Sequence, residues 1–288
     1  MRSKHQYYAE IREYYSQSNW LYKYVWYAGR SLGLHFGFAD GTTASHTEAL
    51  INQYKYVIRK GIIEDGMQVL DAGCGVGGAS IHIARKTGAQ CTGISIVPEQ
   101  IVEARKNAIK AGVGDRVNFL VADYAVTELP SATFDVVFGM ESVCYATSKK
   151  DFVAESYRVL KPGGMLVLTD GYRKREVKNR DEKQLMKTFC EGWRLADLVS
   201  VEDVTRAMRR GGFGDIVVED KTSEIEMSIN KMKRLVGWWR IGEQVLGWVN
   251  LPIVKMARAN ASAMEAWIMG VERGLFGYYA HVAQKPAK

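Results

Sequence analysis

Val69-Leu70-Asp71-Ala72-Gly73-Cys74-Gly75-Val76-Gly77-Gly78 is the stretch on which the reading of the chain turns. A short apolar strand ends in an acid, Asp71, and glycines follow at alternate positions, 73, 75 and 77. Helical periodicity then begins at Ala79-Ser80-Ile81-His82-Ile83-Ala84. Glycine lets the backbone turn sharply and lets a ligand lie against bare peptide. The spacing differs from G-x-G-x-x-G, in which a pyrophosphate rests on a helix N-terminus. A carboxylate at the strand end is a poor neighbour for pyrophosphate and suits a cationic or hydroxyl-rich ligand.

Working outward, apolar segments alternate with helical ones. Strands are expected at 67–71, 90–96, 117–122, 133–139 and 165–170, with helices at 77–87, 98–111 and 150–160. A charged stretch at 173–180 leads to a helix reaching about Val199, a further helix at 203–210 and a strand at 213–220. A helical insertion at 224–276 precedes the last strand, which starts at Gly277. The pattern predicts an α/β fold: a mostly parallel, Rossmann-like sheet of seven strands with both faces covered. Ligands of such sheets sit beyond the carboxyl ends of the strands, so the residues just after each strand carry most of the functional information.

Composition narrows the classes. The chain has 288 residues, 47% hydrophobic and 25% charged, ordinary values for a globular protein. Its four cysteines have neither C-x-x-C nor Cys/His spacing, and reduced thiols in a cytoplasmic protein are expected, with no metal site. Residues 1–10 lack the apolar core of a signal peptide, and no apolar run is long enough to span a bilayer. The net charge of +7 sits mostly after residue 170, where 21 Lys/Arg oppose 15 Asp/Glu. That excess suits either an anionic partner, such as a membrane surface, or a solvated helical face; no nucleic-acid motif accompanies it.

Residues 1–60 form an expected N-terminal helical region dense in aromatics, among them Tyr14, Tyr15, Trp20 and Trp26. These rings either staple the segment to the core or form a lid over an apolar pocket, with tyrosine hydroxyls as polar handles. The core is expected at 61–223, a helical cap at 224–276 and the last strand and tail at 277–288. The Trp- and Met-rich cap suits a core or a homo-oligomer interface.

Four ordered motifs resemble class I S-adenosylmethionine (SAM) methyltransferases: the glycine loop, Gly93-Ile94-Ser95, Val121-Ala122-Asp123 and Gly139-Met140-Glu141-Ser142. The resemblance implies that Asp71, Gly73, Gly75 and Gly77 hold the nucleoside and amino-acid tail. Ala122 would lie against the adenine and Asp123 would accept from its amine. Most such enzymes present an acid to the ribose after the second strand; here Ser95 stands there, with Gln100 following. That departure resembles the branch with sterol, tocopherol and prenyl-diphosphate C-methyltransferases, as do Met140-Glu141-Ser142, the aromatic run from Tyr14 and Leu34-His35-Phe36-Gly37. Ser95 also reads as an ordinary strand-end turn residue.

The resemblance implies a reaction without a resident metal: methyl transfer from SAM to carbon of an apolar isoprenoid-type acceptor, leaving S-adenosylhomocysteine. A carbocation so formed needs shielding, a nearby anion and a base. Aromatic faces attract cations, and a buried carboxylate can stabilise one and take its proton. Glu141 is the expected base; Tyr14, Tyr15 and Tyr145 are expected wall or relay groups. His35 is a second base or a structural histidine at a lid hinge. A prenyl diphosphate would bring Mg2+ and need a basic cluster, for which Arg173, Lys174 and Arg175 are placed. The alternatives are a tocopherol-like ring C-methyltransferase or an O- or N-methyltransferase, with Glu141 as base.

Overall fold

The computed structural model describes residues 3–27, 31–246 and 251–287. Seven strands form one sheet: β1 (Gln68–Ala72), β2 (Gln90–Ser95), β3 (Val117–Val121), β4 (Phe134–Met140), β5 (Leu160–Arg173), β6 (Gly214–Asp220) and β7 (Phe276–Gln284). Their order is β3-β2-β1-β4-β5-β7-β6. The first five pair in parallel, and β7 runs antiparallel between β5 and β6. The expected seven-stranded, mostly parallel sheet is therefore the observed one. Val69, Leu70, Val136, Val137, Leu166 and Val167 are all buried, as strands covered on both faces require.

The helices are α1 (Lys4–Leu21), α2 (His46–Gly61), α3 (Gly78–Thr87), α4 (Pro98–Lys110), α5 (Lys149–Val159), α6 (Arg180–Gly192), α7 (Val201–Arg210), α8 (Glu226–Leu246) and α9 (Pro252–Glu272). Local chemistry sets their ends. Ser3 caps α1 and Ser200 caps α7 through reciprocal boxes, and Ser45, Ser148 and Asn179 cap α2, α5 and α6. Pro opens α4 and α9, where its missing N–H costs nothing.

Two expectations shift. β5 runs from Leu160 to Arg173 rather than over 165–170, because β7 pairs with it as far as Arg173↔Phe276. The helix after the charged stretch stops at Gly192 rather than near Val199. At Gly192 a side chain would meet the Ala259 carbonyl of α9 at 2.6 Å, so the two helices approach closely there. Beyond α1 the chain continues as a π-helical turn, Tyr22–Trp26, a local bulge that packs Trp26 inward.

The expected cap is a helical hairpin, α8 followed by α9. α9 packs on α6, and Trp267 is fully buried against Phe276 and Phe189. Its inner face joins the larger apolar core at the carboxyl ends of β4 and β5. No helix among the described residues is long and apolar enough to cross a membrane.

Candidate active site

The glycine loop after β1 takes a conformation that only glycine accepts easily. Gly73, Gly75 and Gly77 all have positive φ, 112°, 51° and 87°. A Cβ at Gly73 would stand 2.2 Å from the Ser142 side chain, so this peptide lies directly on the turn after β4. Asp71 is buried and accepts from the Ser80 hydroxyl at 2.7 Å. Burial pushes its carboxyl up to about 7, against that hydrogen bond.

A cavity of about 780 Å³ opens over the loop, its wall including Asp71, Gly73, Gly75, Ser95, Gln100 and His35. The Ser95 hydroxyl donates to Gln100 Oε1 at 3.0 Å and accepts from Val97 N at 3.1 Å. His35 Nδ1 lies 2.5 Å from the Phe36 carbonyl, which can only accept, so Nδ1 carries the proton. Its Nε2 lone pair is buried without a hydrogen bond. Burial lowers the ring's pKa to about 4, so His35 is neutral. Among the described wall residues there is no Lys or Arg. Carboxylate, hydroxyl, amide and imidazole groups on bare backbone fit a ligand that brings ribose hydroxyls and its own positive charge, as SAM does.

Three expected cofactor residues stand outside this wall. Gly77 caps α3, and a Cβ there would strike Phe119 at 2.7 Å, so its glycine serves packing. Ala122 N is tied to the Ser95 carbonyl at 3.1 Å. Asp123 Oδ2 accepts from the Tyr8 hydroxyl at 2.8 Å and pairs with Lys4 at 2.7 Å, both from α1.

A second cavity, of about 840 Å³, lies beside the first. Phe36, Phe189, Trp193, Trp267 and Tyr278 supply rings, and Met232 of α8 and Met264 of α9 close it from the hairpin. Its described wall contains two carboxylates, Glu141 and Asp170, and no Lys, Arg or His. Tyr15, Leu34, Glu141 and Tyr145 belong to both cavities and form the seam between them.

Glu141 holds that position through a left-handed backbone, φ 48°, with its own N–H bonded to the Thr169 carbonyl. Oε1 accepts from Phe36 N at 2.6 Å and from the Tyr278 hydroxyl at 2.8 Å. Burial raises its pKa to about 8, and the charge of Asp170 adds to the rise; the two hydrogen bonds oppose it. Asp170 accepts from Gly171 N and Cys144 N, each at 2.8 Å, and burial lifts it to about 6. Tyr15 donates to the Tyr145 hydroxyl at 3.2 Å on the seam. Tyr14 lies behind this layer, its hydroxyl donating to Asn260 Oδ1 at 2.7 Å, and lines neither cavity.

The basic triplet at the end of β5 is committed elsewhere. Arg173 pairs with Glu176, Lys174 with Asp220 and Arg175 with Glu182. None of the three lines either cavity. Among the described residues no cluster of His, Cys, Asp and Glu is arranged to hold a metal.

Sequence reading missed four residues here: Asp170, Tyr278, Gln53 and Phe36. Asp170 ends the apolar core of β5, so the strand-end rule that singled out Asp71, Asp123 and Glu141 points to it as well. Gln53 donates to Tyr278 and to Thr169, each at 2.7 Å, and so sits behind Glu141 from α2. Nothing in its helical context marks it.

Residues 70–168 match the family model described as "Methyltransferase domain". The chain is 31% identical over 225 residues to a sterol 24-C-methyltransferase of Eremothecium gossypii, covering 76% of this chain and 56% of that protein. It is 28% identical over 288 residues to a probable chloroplastic tocopherol O-methyltransferase of Oryza sativa subsp. japonica, covering 94% and 76%. The chain thus spans about half the length of the sterol methyltransferases it matches. Among solved structures, the [4+2]-cyclase SpnF superposes with a TM-score of 0.79 at 24% identity, over 96% of each chain.

Proposed function

The chain carries a methyltransferase domain on the class I fold, and from that premise we propose that it moves the methyl group of SAM to carbon of a neutral, apolar, isoprenoid-type acceptor. The observation that carries this reading is the seam: one carboxylate, Glu141, faces both the polar cavity and the aromatic one. When bound, SAM supplies an electrophilic methyl group on a sulfonium, so no metal is required for transfer to an alkene.

The residues would divide the work as follows. Asp71, Ser95, Gln100 and the peptide at Gly73 and Gly75 would hold the cofactor. The rings of Phe36, Trp193, Trp267 and Tyr278 would exclude water and face positive charge, each contributing roughly 0.5–2 kcal/mol. Glu141 and Asp170 would stabilise a cation formed beside them. Glu141, in its ionised form, would take the proton as the new alkene forms. Tyr278 and Phe36 N would hold the accepting oxygen in place.

An acidic cavity with no cation among its described wall residues supports a neutral acceptor over a diphosphate. A second reading rests on the likeness to a tocopherol O-methyltransferase along 94% of the chain. There Glu141 would deprotonate a phenol or amine instead. Incubation with labelled SAM and a panel of farnesyl diphosphate, a sterol and a prenylated phenol separates them. Methylation of the sterol at carbon supports the first reading, and turnover of the phenol alone replaces it with the second.

A further inference from the structure

We propose that the outer side of the α8–α9 hairpin docks onto an anionic lipid surface. Its inner side is already accounted for, since Met232, Leu235, Asn260 and Met264 line the aromatic cavity. The opposite side carries large apolar groups in solvent. Trp238 is 73% exposed and Ile241 62%, and Leu251 and Ile253 at the start of α9 are 55% and 49% exposed. Arg234, Trp238 and Ile241 follow one another at steps of four and three, which puts them on one face of α8. Exposed aromatic and aliphatic groups beside cations are the pattern of a helix that lies in a bilayer interface.

Charge selects the occupant. From Glu226 to Glu272 the sequence has six Lys/Arg (231, 233, 234, 240, 255 and 258) and four acids, Glu226, Glu243, Glu265 and Glu272. Lys233, Arg240 and Arg258 reach Glu272, Glu265 and Glu243 in ion pairs and Lys231 donates to the Trp26 carbonyl, while Arg234 and Lys255 stand exposed. The hairpin's net positive charge, with exposed Arg234 one turn before Trp238, complements anionic headgroups over acyl chains. A second copy of this chain would bring Arg234 and the same net positive charge against itself, which disfavours a symmetric dimer through this face. The docking stands on the surface alone. That it would also deliver a poorly soluble acceptor to the cavity on the hairpin's other side rests on the function proposed above.

The test is flotation of the full chain with phosphatidylcholine vesicles, with and without about one third phosphatidylglycerol. The expected result is recovery with the anionic vesicles at low salt, at least tenfold above the neutral ones. The W238S/I241S variant should lose that recovery at least tenfold while keeping the parent's thermal midpoint and SAM affinity. Both positions are exposed, so the fold does not depend on them. Equal recovery of parent and variant, or recovery with neither vesicle, overturns the proposal. So does a dimer, seen by sedimentation velocity, that the same two substitutions dissociate. Because neither readout involves methyl transfer, failure here is distinct from failure of the proposed reaction.

Discussion

Tyr278 donates its hydroxyl to Glu141 Oε1 at 2.8 Å, joining β7 to the turn after β4. The same hydroxyl accepts from Gln53 Nε2 at 2.7 Å. Glu141 is thereby oriented from behind by a buried Gln–Tyr pair, while Phe36 N fixes it from the lid side at 2.6 Å. A general base needs its accepting atom held within hydrogen-bond reach of the proton it takes, and these contacts hold the carboxylate on the seam between the cavities.

Glu141→Gln keeps the shape of the side chain and removes its basicity. Turnover is expected to fall by about 10²–10⁴, with affinity for S-adenosylhomocysteine in calorimetry within about threefold of the parent. A variant that turns over normally, or that no longer binds the cofactor product, would remove Glu141 from the role of base.

Tyr278→Phe leaves Glu141 with one donor fewer. The Tyr278 hydrogen bond lowers the glutamate's pKa, so its loss raises it further, and the pH–rate profile shifts to higher pH. At pH 7 the rate drops and is recovered partly on raising the pH, which a merely structural defect would not show. Gln53 also loses an acceptor in the interior, a stability cost of about 1–3 kcal/mol.

Why these contacts escaped the sequence is a matter of range. The glycine loop, the strand ends and the caps are local signals, each set by a few neighbouring residues, and the sheet with its loop could be read from them. Ser95, Gln100, Glu141, Tyr15 and Tyr145, singled out by the family resemblance, do line a cavity. Tyr278 of β7 meets Glu141 across 137 positions of chain, and Gln53 of α2 meets Tyr278 across 225. No periodicity encodes such a meeting. Tyr14 was misplaced for a related reason: adjacent helical residues point about 100° apart, so Tyr15 faces the cavity while Tyr14 faces Asn260 of α9.

Titration of the site has a definite sign. Glu141 at about 8, Asp71 at about 7 and Asp170 at about 6 all lie above the ordinary carboxylate range because they are buried. Between the ordinary range and these values each of the three binds more protons in the folded chain than in the unfolded one, so their contribution to stability falls as pH rises. Burial holds His35, His46, His82 and His281 down at about 3 to 4, and these act with the opposite sign between pH 5 and 7. The test is therefore a difference: without cofactor, the parent's thermal midpoint relative to that of Glu141→Gln is expected to be higher near pH 5 than near pH 8. Activity runs the other way. Only ionised Glu141 accepts a proton, so kcat/KM rises with pH through about 8 in the free enzyme. A midpoint difference between parent and Glu141→Gln that grows from pH 5 to pH 8 would contradict the assignment.

Gly73→Ala tests the loop. The added methyl would sit at φ 112°, 2.2 Å from the Ser142 Cβ. Backbone strain of about 1–3 kcal/mol is expected from the conformation alone, before the loop moves off the turn that carries Glu141. The thermal midpoint should fall and S-adenosylhomocysteine binding should weaken by more than tenfold in titration calorimetry. Gly66→Ala is the control for strain without crowding: its φ is 76°, and a Cβ there meets nothing within 4 Å.

Asp123 offers a sharper test of the cofactor assignment, because its carboxylate is already engaged. Oδ2 takes both the Tyr8 hydroxyl and Lys4, and Oδ1 takes Ala125 N at 2.9 Å. If Asp123 accepts from the adenine amine, as the resemblance implies, the bound nucleoside competes with α1 for one oxygen. Removing the competitor should then help: Tyr8→Phe is expected to tighten S-adenosylhomocysteine binding about two- to fivefold, the equivalent of part of one hydrogen bond. Asp123→Asn should weaken binding by a similar or larger factor, since the amide replaces an ionised acceptor. The double variant distinguishes competition from simple lid closure. Under competition, Tyr8→Phe has no benefit once Asp123 is gone. If α1 closes over the cofactor without contesting Asp123, Tyr8→Phe loosens binding in either background, and the adenine role of Asp123 falls.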